Sequence, residues 1–182
     1  MISEFTVTPR PSNNKARHLF FALIITAVLV GALYVTLPQY KGVVGLACML
    51  IIVAAIYIYN RYMAIVYRYE VMIDSDGVPL LVVRHSVGKR ESTLARVELS
   101  HITSVKKQSV KDRREHKTPE GCMRYAYLPT LAPEYTCLVT VRSRHEHAEI
   151  TLEGNDDFID LLQSYAEIAR RELGADDLDD TE

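Results

Sequence analysis

The chain has 182 residues, with 21 Lys or Arg against 23 Asp or Glu and a formal charge of −2. Its 3 cysteines are an odd number with no metal-ligand spacing, which argues against a secreted disulfide framework and fits a reduced, cytoplasmic soluble domain. The near-neutral total hides a gradient: a basic middle between residues 61 and 150, then an end in which only Arg170 and Arg171 oppose a run of acids.

The first predicted elements are two long apolar runs, about 19–37 and 42–60, together spanning 18–62 with a short external turn at 38–41. Neither run carries an ionised side chain, and each approaches the ~20 residues needed to cross ~30 Å of hydrocarbon. A soluble core helix of that length would show a polar face. The first run is longer than a signal-peptide core, and Thr36-Leu37-Pro38-Gln39-Tyr40 offers no small-x-small cleavage site. Arg10, Lys15 and Arg17 precede the first run, Arg61 and Arg68 follow the second, and only Lys41 lies between. That bias predicts a multi-pass protein of the cell membrane with both termini cytoplasmic, residues 1–17 forming a cytoplasmic N-terminal segment. The pair Ala27 and Gly31 has the spacing of small-residue packing, within the hairpin or between copies; the sequence favours the hairpin and leaves a homo-oligomer open.

From about residue 63 to 174 the pattern changes to that of a soluble domain. Tyr67, Tyr69, Val71 and Ile73 alternate with Arg68, Glu70 and Asp74, a strand with one apolar face. Asp74-Ser75-Asp76-Gly77 marks a turn. Further strands are expected at 78–85, 91–99, 101–105 (strand or single turn), 122–127, 135–142 and 148–152, with 106–120 a polar, exposed loop. Phe158, Leu161, Leu162, Tyr165, Ile168, Ala169 and Leu173 form a helical apolar stripe. Asn155 is its expected N-cap and Gly174 its stop, and 175–182 reads as an acidic, disordered tail.

A tight two-helix hairpin, then Tyr69-Glu70-Val71 leading through a turn to Leu81-Val82-Val83-Arg84, resembles the bacterial pleckstrin-homology-like membrane proteins. The segment 97–105, Val-Glu-Leu-Ser-His-Ile-Thr-Ser-Val, is similar to the "leucine, polar, x, isoleucine, x, x, valine" stretch of that family. The resemblance covers roughly residues 19–173 and rests on apolar patterns; the chain departs from it at 106–134. It implies a membrane α-hairpin followed by an α+β, mainly β, domain: a barrel of about seven strands with a C-terminal amphipathic helix. It implies no enzyme activity.

Lys106, Lys107, Lys111, Arg113, Arg114 and Lys117 are the candidate contacts to anionic lipid, because cations close to an acidic leaflet are attracted at ~1 kcal/mol each. The favoured reading of the run is a solvated loop whose charge keeps it soluble, with lipid contact the functional alternative. The patch lacks the stacking aromatics of single-strand binders, so no nucleic-acid partner is expected. His145, His147, Glu146 and Glu149 read as a polar hairpin turn rather than a metal site, and Cys122 and Cys137 as small buried hydrophobes. There is no Gly-rich phosphate loop, no Gly-x-Ser-x-Gly and no His-Glu-x-x-His, so no catalytic, cofactor or metal residue is assigned. The expectation is a non-enzymatic, membrane-anchored binding or scaffold module with the bilayer and a protein as partners. An anionic-lipid sensor, or an accessory subunit of a membrane transport or secretion complex, is the alternative.

Overall fold

The computed structural model describes residues 4–9, 14–36, 38–143 and 147–172. The chain divides into two compact units, one of residues 11–65 with 130–132, the other of residues 1–10, 66–129 and 133–182.

The first unit is a helical hairpin. Helix α1 (Asn14–Thr36) and helix α2 (Lys41–Tyr62) are joined by one 3-10 turn at Pro38–Tyr40. Both helices are long and apolar enough to cross a membrane, with a mean hydropathy of 2.5 in their most apolar stretches. Val28 is 67% and Val43 72% exposed, so the apolar side chains face outward rather than into a core. Helices apolar on every side are stable in hydrocarbon and not in water. The pair is held by local fits. The Cys48 Sγ lies 3.8 Å from the Ala27 carbonyl oxygen, and the Phe20 and Tyr59 rings meet at 5.8 Å. A Cβ on Gly31 would meet nothing within 4 Å, whereas one on Gly45 would lie 3.4 Å from Tyr34 Cε2, so the tightest glycine contact of the hairpin is at Gly45.

The second unit is built on two four-stranded sheets. One has the order β1-β2-β3-β4, from β1 (Phe5–Val7), β2 (Ile65–Ile73), β3 (Pro79–Val87) and β4 (Arg90–Glu98). The other has the order β5-β7-β8-β6, from β5 (Ile102–Ser109), β6 (Met123–Tyr127), β7 (Tyr135–Arg142) and β8 (His147–Leu152). The expected turn closes β2 onto β3: Ser75 N–H donates to Asp74 Oδ1 at 2.8 Å, and Gly77 takes a positive φ of 80°. β6 pairs parallel to β8, so it lies at the sheet's end rather than in a meander.

Tyr69 joins the sheets. Its hydroxyl donates to the Tyr127 carbonyl at 2.6 Å and accepts from the Glu153 N–H at 3.2 Å, while its ring packs on Phe158 at 5.7 Å. Burial of the phenol outweighs the opposing hydrogen bond from the Glu153 N–H and raises its pKa above the ordinary tyrosine value, so it stays a donor at all working pH. Helix α4 (Asp156–Glu172) packs on β5 and on the short 3-10 turn at Leu99–His101. Asn155 caps it as expected, accepting from the Phe158 N–H at 3.1 Å. The buried stripe is Phe158, Ile159, Leu162, Ala166 and Ala169, with Leu161, Tyr165 and Ile168 on its flanks. Leu173, Gly174 and the tail at 175–182 lie outside the described residues.

Several expectations are corrected. The segment after the hairpin holds the seven expected strands, β2 to β8, but the described residues hold an eighth, and the strands form two four-stranded sheets rather than a closed barrel. The extra strand is β1, from the segment read as a simple cytoplasmic N-terminus; Phe5, Thr6 and Val7 pair with Val71, Glu70 and Tyr69. The loop expected at 106–120 begins as the second half of β5 and continues into helix α3 (Val110–Glu115). Residues 106–109 of that strand, Lys-Lys-Gln-Ser, include no apolar side chain although Gln108 is buried, so no apolar alternation marks them. Ile73 is 40% exposed rather than on the core face.

Candidate functional site

The six candidate lipid contacts do not form one patch. Lys106 and Lys107 are successive residues of β5, registered on Leu138 and Cys137, so they point to opposite faces of the sheet. Lys107 turns toward α4, where it pairs with Asp156 and sits 4.4 Å from the centre of the Tyr135 ring. The Asp156 hydrogen bond raises its pKa above the ordinary lysine value.

The other four follow from α3. Ser109 and Asp112 cap that helix reciprocally: the Asp112 N–H donates to Ser109 Oγ at 3.3 Å, and the Ser109 N–H to Asp112 Oδ2 at 2.9 Å. The bond from the Ser109 N–H, the largest cause, holds the Asp112 carboxyl below its ordinary pKa. Arg113 turns inward and donates to the Pro133 carbonyl; burial lowers its pKa. Lys111 reaches Glu115 at 3.9 Å, one turn on. Among the described residues no ion pair engages Lys106, Arg114 or Lys117, all of which are exposed. What remains of the basic run is thus a small cationic surface around Lys111, Arg114 and Lys117.

Behind that surface lies a buried acid whose partner the chain order conceals. Glu149, on β8, is 3% exposed. Its carboxylate oxygens each lie 2.9 Å from His116 Nε2, and Oε2 accepts from Thr118 Oγ1 at 3.2 Å. His116 and Thr118 sit on the segment leaving α3, so this contact pins that segment across the outer face of the second sheet. Glu149 was read with His145 and His147 as part of a hairpin turn. His145 and Glu146 lie outside the described residues, and His147 is exposed at the start of β8. Among the described residues no group of His, Cys, Asp and Glu is arranged to hold a metal ion. Cys122 is half-buried, and burial together with the Glu149 charge raises its thiol pKa, the opposite of what an activated nucleophile needs.

The second feature is a cleft of about 370 Å³ between the two sheets. It lies where each sheet ends: β4 is the last strand of one and β6 the last of the other. Ala95 and Val97 line it from β4, Tyr125 and Tyr127 from β6, and Ala148 and Ile150 from β8. The two tyrosine rings are parallel within 7°, their centres 6.2 Å apart, and give the cleft a flat aromatic wall. Among the described residues no strand pairs with the outer edge of β4 or of β6. Neither edge position carries a signal in the sequence, because local periodicity does not encode strand order.

No protein-family model, no curated protein and no solved structure matches the chain. The functional reading therefore rests on this geometry.

Proposed function

We propose that the chain is a non-enzymatic, membrane-anchored binding or scaffold module that presents a pleckstrin-homology-like domain at the cytoplasmic face of a cell membrane. The observation that carries this reading is the outer edge of β4, with which no strand pairs among the described residues, beside a cleft walled by Tyr125 and Tyr127. Such edges expose backbone N–H and C=O groups that an added strand satisfies. Seven of the eight strands, β2 to β8, come from the segment after the hairpin and are followed by one amphipathic helix, which supports the pleckstrin-homology-like reading. The pairing of β1 with β2, which flank the two apolar helices, supports an anchor that leaves and returns on one side. Crosslinking in native membranes, through a tag after Glu182, tests the module. A discrete protein partner is expected, and a chain that crosslinks to lipid alone rejects the reading.

A second reading is favoured by Arg114 and Lys117, exposed and without an ion pair among the described residues, on the same segment as Lys111: contact with anionic lipid. The full chain in neutral-lipid nanodiscs should then recruit anionic vesicles at low salt. Replacement of Lys111, Arg114 and Lys117 by Gln should abolish that recruitment. Recruitment that survives the replacement rejects it.

A further inference from the structure

Residues 110–122, helix α3 and the segment that leaves it, cross the outer face of the second sheet without adding to its core. None of them is buried: Arg113, His116, Thr118 and Cys122 are half-buried and the rest are exposed. Val110, the apolar residue that opens α3, is itself 42% exposed. The segment is tied to the strands beyond β5 by polar contacts. Arg113 donates to the Pro133 carbonyl, and His116 and Thr118 meet Glu149 at 2.9 and 3.2 Å. The bonds from the Asp112 N–H to Ser109 and from the Cys122 N–H to the Pro119 carbonyl are local. The sheet face underneath is polar as well. Strand register places Gln108, Thr136, Glu149 and Thr151 on it, all buried, together with Leu138. Arg124, the register partner of Glu149 on β6, is exposed and forms no ion pair among the described residues. The charge that faces the buried carboxylate at bonding distance is therefore that of His116.

We propose that residues 110–122 form a strap that lifts from the second sheet as a unit while the rest of the domain stays folded, with His116 and Glu149 as its latch. Segments with few buried apolar contacts open locally at much less than the free energy of global unfolding. Docking of this strap gains little from the hydrophobic effect, and its polar bonds are exchanged for bonds to water when it lifts. Glu149 decides the balance. Covered, its carboxylate gives up water and relies on His116 and Thr118. Without His116 it is a buried charge with the Thr118 hydroxyl as its remaining strap donor, and lifting the strap to hydrate it costs less than keeping it covered. Loss of His116 thus releases the strap rather than unfolding the domain, and Glu149 becomes an exposed acid on a face that was closed.

Trypsin reads the open state, because Lys111, Arg113, Arg114 and Lys117 all lie in the strap. Cleavage of a transiently opened segment follows the equilibrium population of its open form. The full chain in mild detergent should be cut first at these positions, with cleavage after Lys106 or Lys107 on β5 as the measure of wider unfolding. His116→Gln should speed strap cleavage by about tenfold or more, the loss expected for a hydrogen bond to a charged group. Cleavage after Lys107 and the melting temperature should not change. Adding Glu149→Gln should bring the rate back toward that of the native chain, since the covered amide needs no charged partner. A rate unmoved by His116→Gln overturns the proposal. So does strap cleavage that rises only together with cleavage after Lys106 and Lys107, or with a lowered melting temperature, because the segment then belongs to the cooperative fold. A double variant cut as fast as His116→Gln also overturns it, because the latch is then not the charge pair.

Discussion

Tyr69 carries more of the architecture than any other single side chain. It is fully buried, and its one hydroxyl satisfies a carbonyl on β6 and an N–H beyond β8 from the opposite sheet. Tyr69→Phe keeps the ring against Phe158 but leaves both backbone groups without their partner. The expected loss is about 1–3 kcal/mol, because an orphaned polar group costs its desolvation. Chemical denaturation should show a lower midpoint with an unchanged slope; an unchanged midpoint would mean that water replaces the hydroxyl. The cysteines outside the helices offer a second check at this scale. Burial pushes the Cys137 thiol up to about 12, and burial with the Glu149 charge also raises that of Cys122. The stability linked to neutral Cys137 is complete below the ordinary thiol range. It declines as the pH rises above that range toward the folded value, because the unfolded chain loses its proton first. Alkylation followed by mass spectrometry at mildly alkaline pH should modify half-exposed Cys122 slowly and Cys137 only after denaturation. Rapid modification of Cys137 in the folded protein would contradict its burial.

At the scale of elements, the end of β8 and the start of α4 are fitted to Phe158. A Cβ on Gly154 would fall 2.2 Å from Phe158 Cδ1, and Phe158 is itself 2% exposed, with the Phe5 ring at 6.2 Å. Gly154→Ala must therefore displace a core ring, and overpacking of this kind costs about 1–3 kcal/mol. Phe5→Ala removes the edge contacts with Phe158 and with Tyr165, the latter at 5.7 Å. At ~0.5–1.5 kcal/mol for each aromatic pair the loss is about 1–3 kcal/mol, and thermal melts of both variants measure it. These two residues also mark what the sequence could express. The amphipathic stripe of α4, its Asn155 cap, the alternation of β2, the extent of β7 and the apolar hairpin are all local patterns, and each was legible; the alternation expected of β7 was not found, since Thr136 to Val139 are all buried. The position of Phe5 was not: a three-residue strand paired with Val71 across the whole hairpin leaves no periodicity to read. α3 did leave a trace, the Ser109-x-x-Asp112 capping box, obscured by the charges around it. The His116–Glu149 contact and the open edges depend on strand order, so only the folded arrangement displays them.

At the scale of the whole molecule, the pairing of β1 with β2 constrains topology more strictly than flanking charge does. Residues 5–7 precede both apolar helices, and their register partners 69–71 follow them. Two segments paired in one sheet lie in one compartment, so the chain between them crosses a bilayer an even number of times. The two helices of the hairpin are long and apolar enough to supply that number. In the orientation proposed above, flanking cations set the compartment, with Arg10, Lys15, Arg17, Arg61 and Arg68 outweighing Lys41 in the turn. The two arguments are independent, and one labelling experiment separates them. In a chain with Cys122→Ser, single reporters are introduced as Glu4→Cys, Gln39→Cys and Ser75→Cys, and intact cells are treated with a membrane-impermeant maleimide. Gln39→Cys should label from outside, and the other two only after lysis. Labelling of both Glu4→Cys and Ser75→Cys from outside would reverse the orientation while leaving the strand pairing intact. Labelling of one without the other would break the pairing itself, and with it the domain that β1 completes.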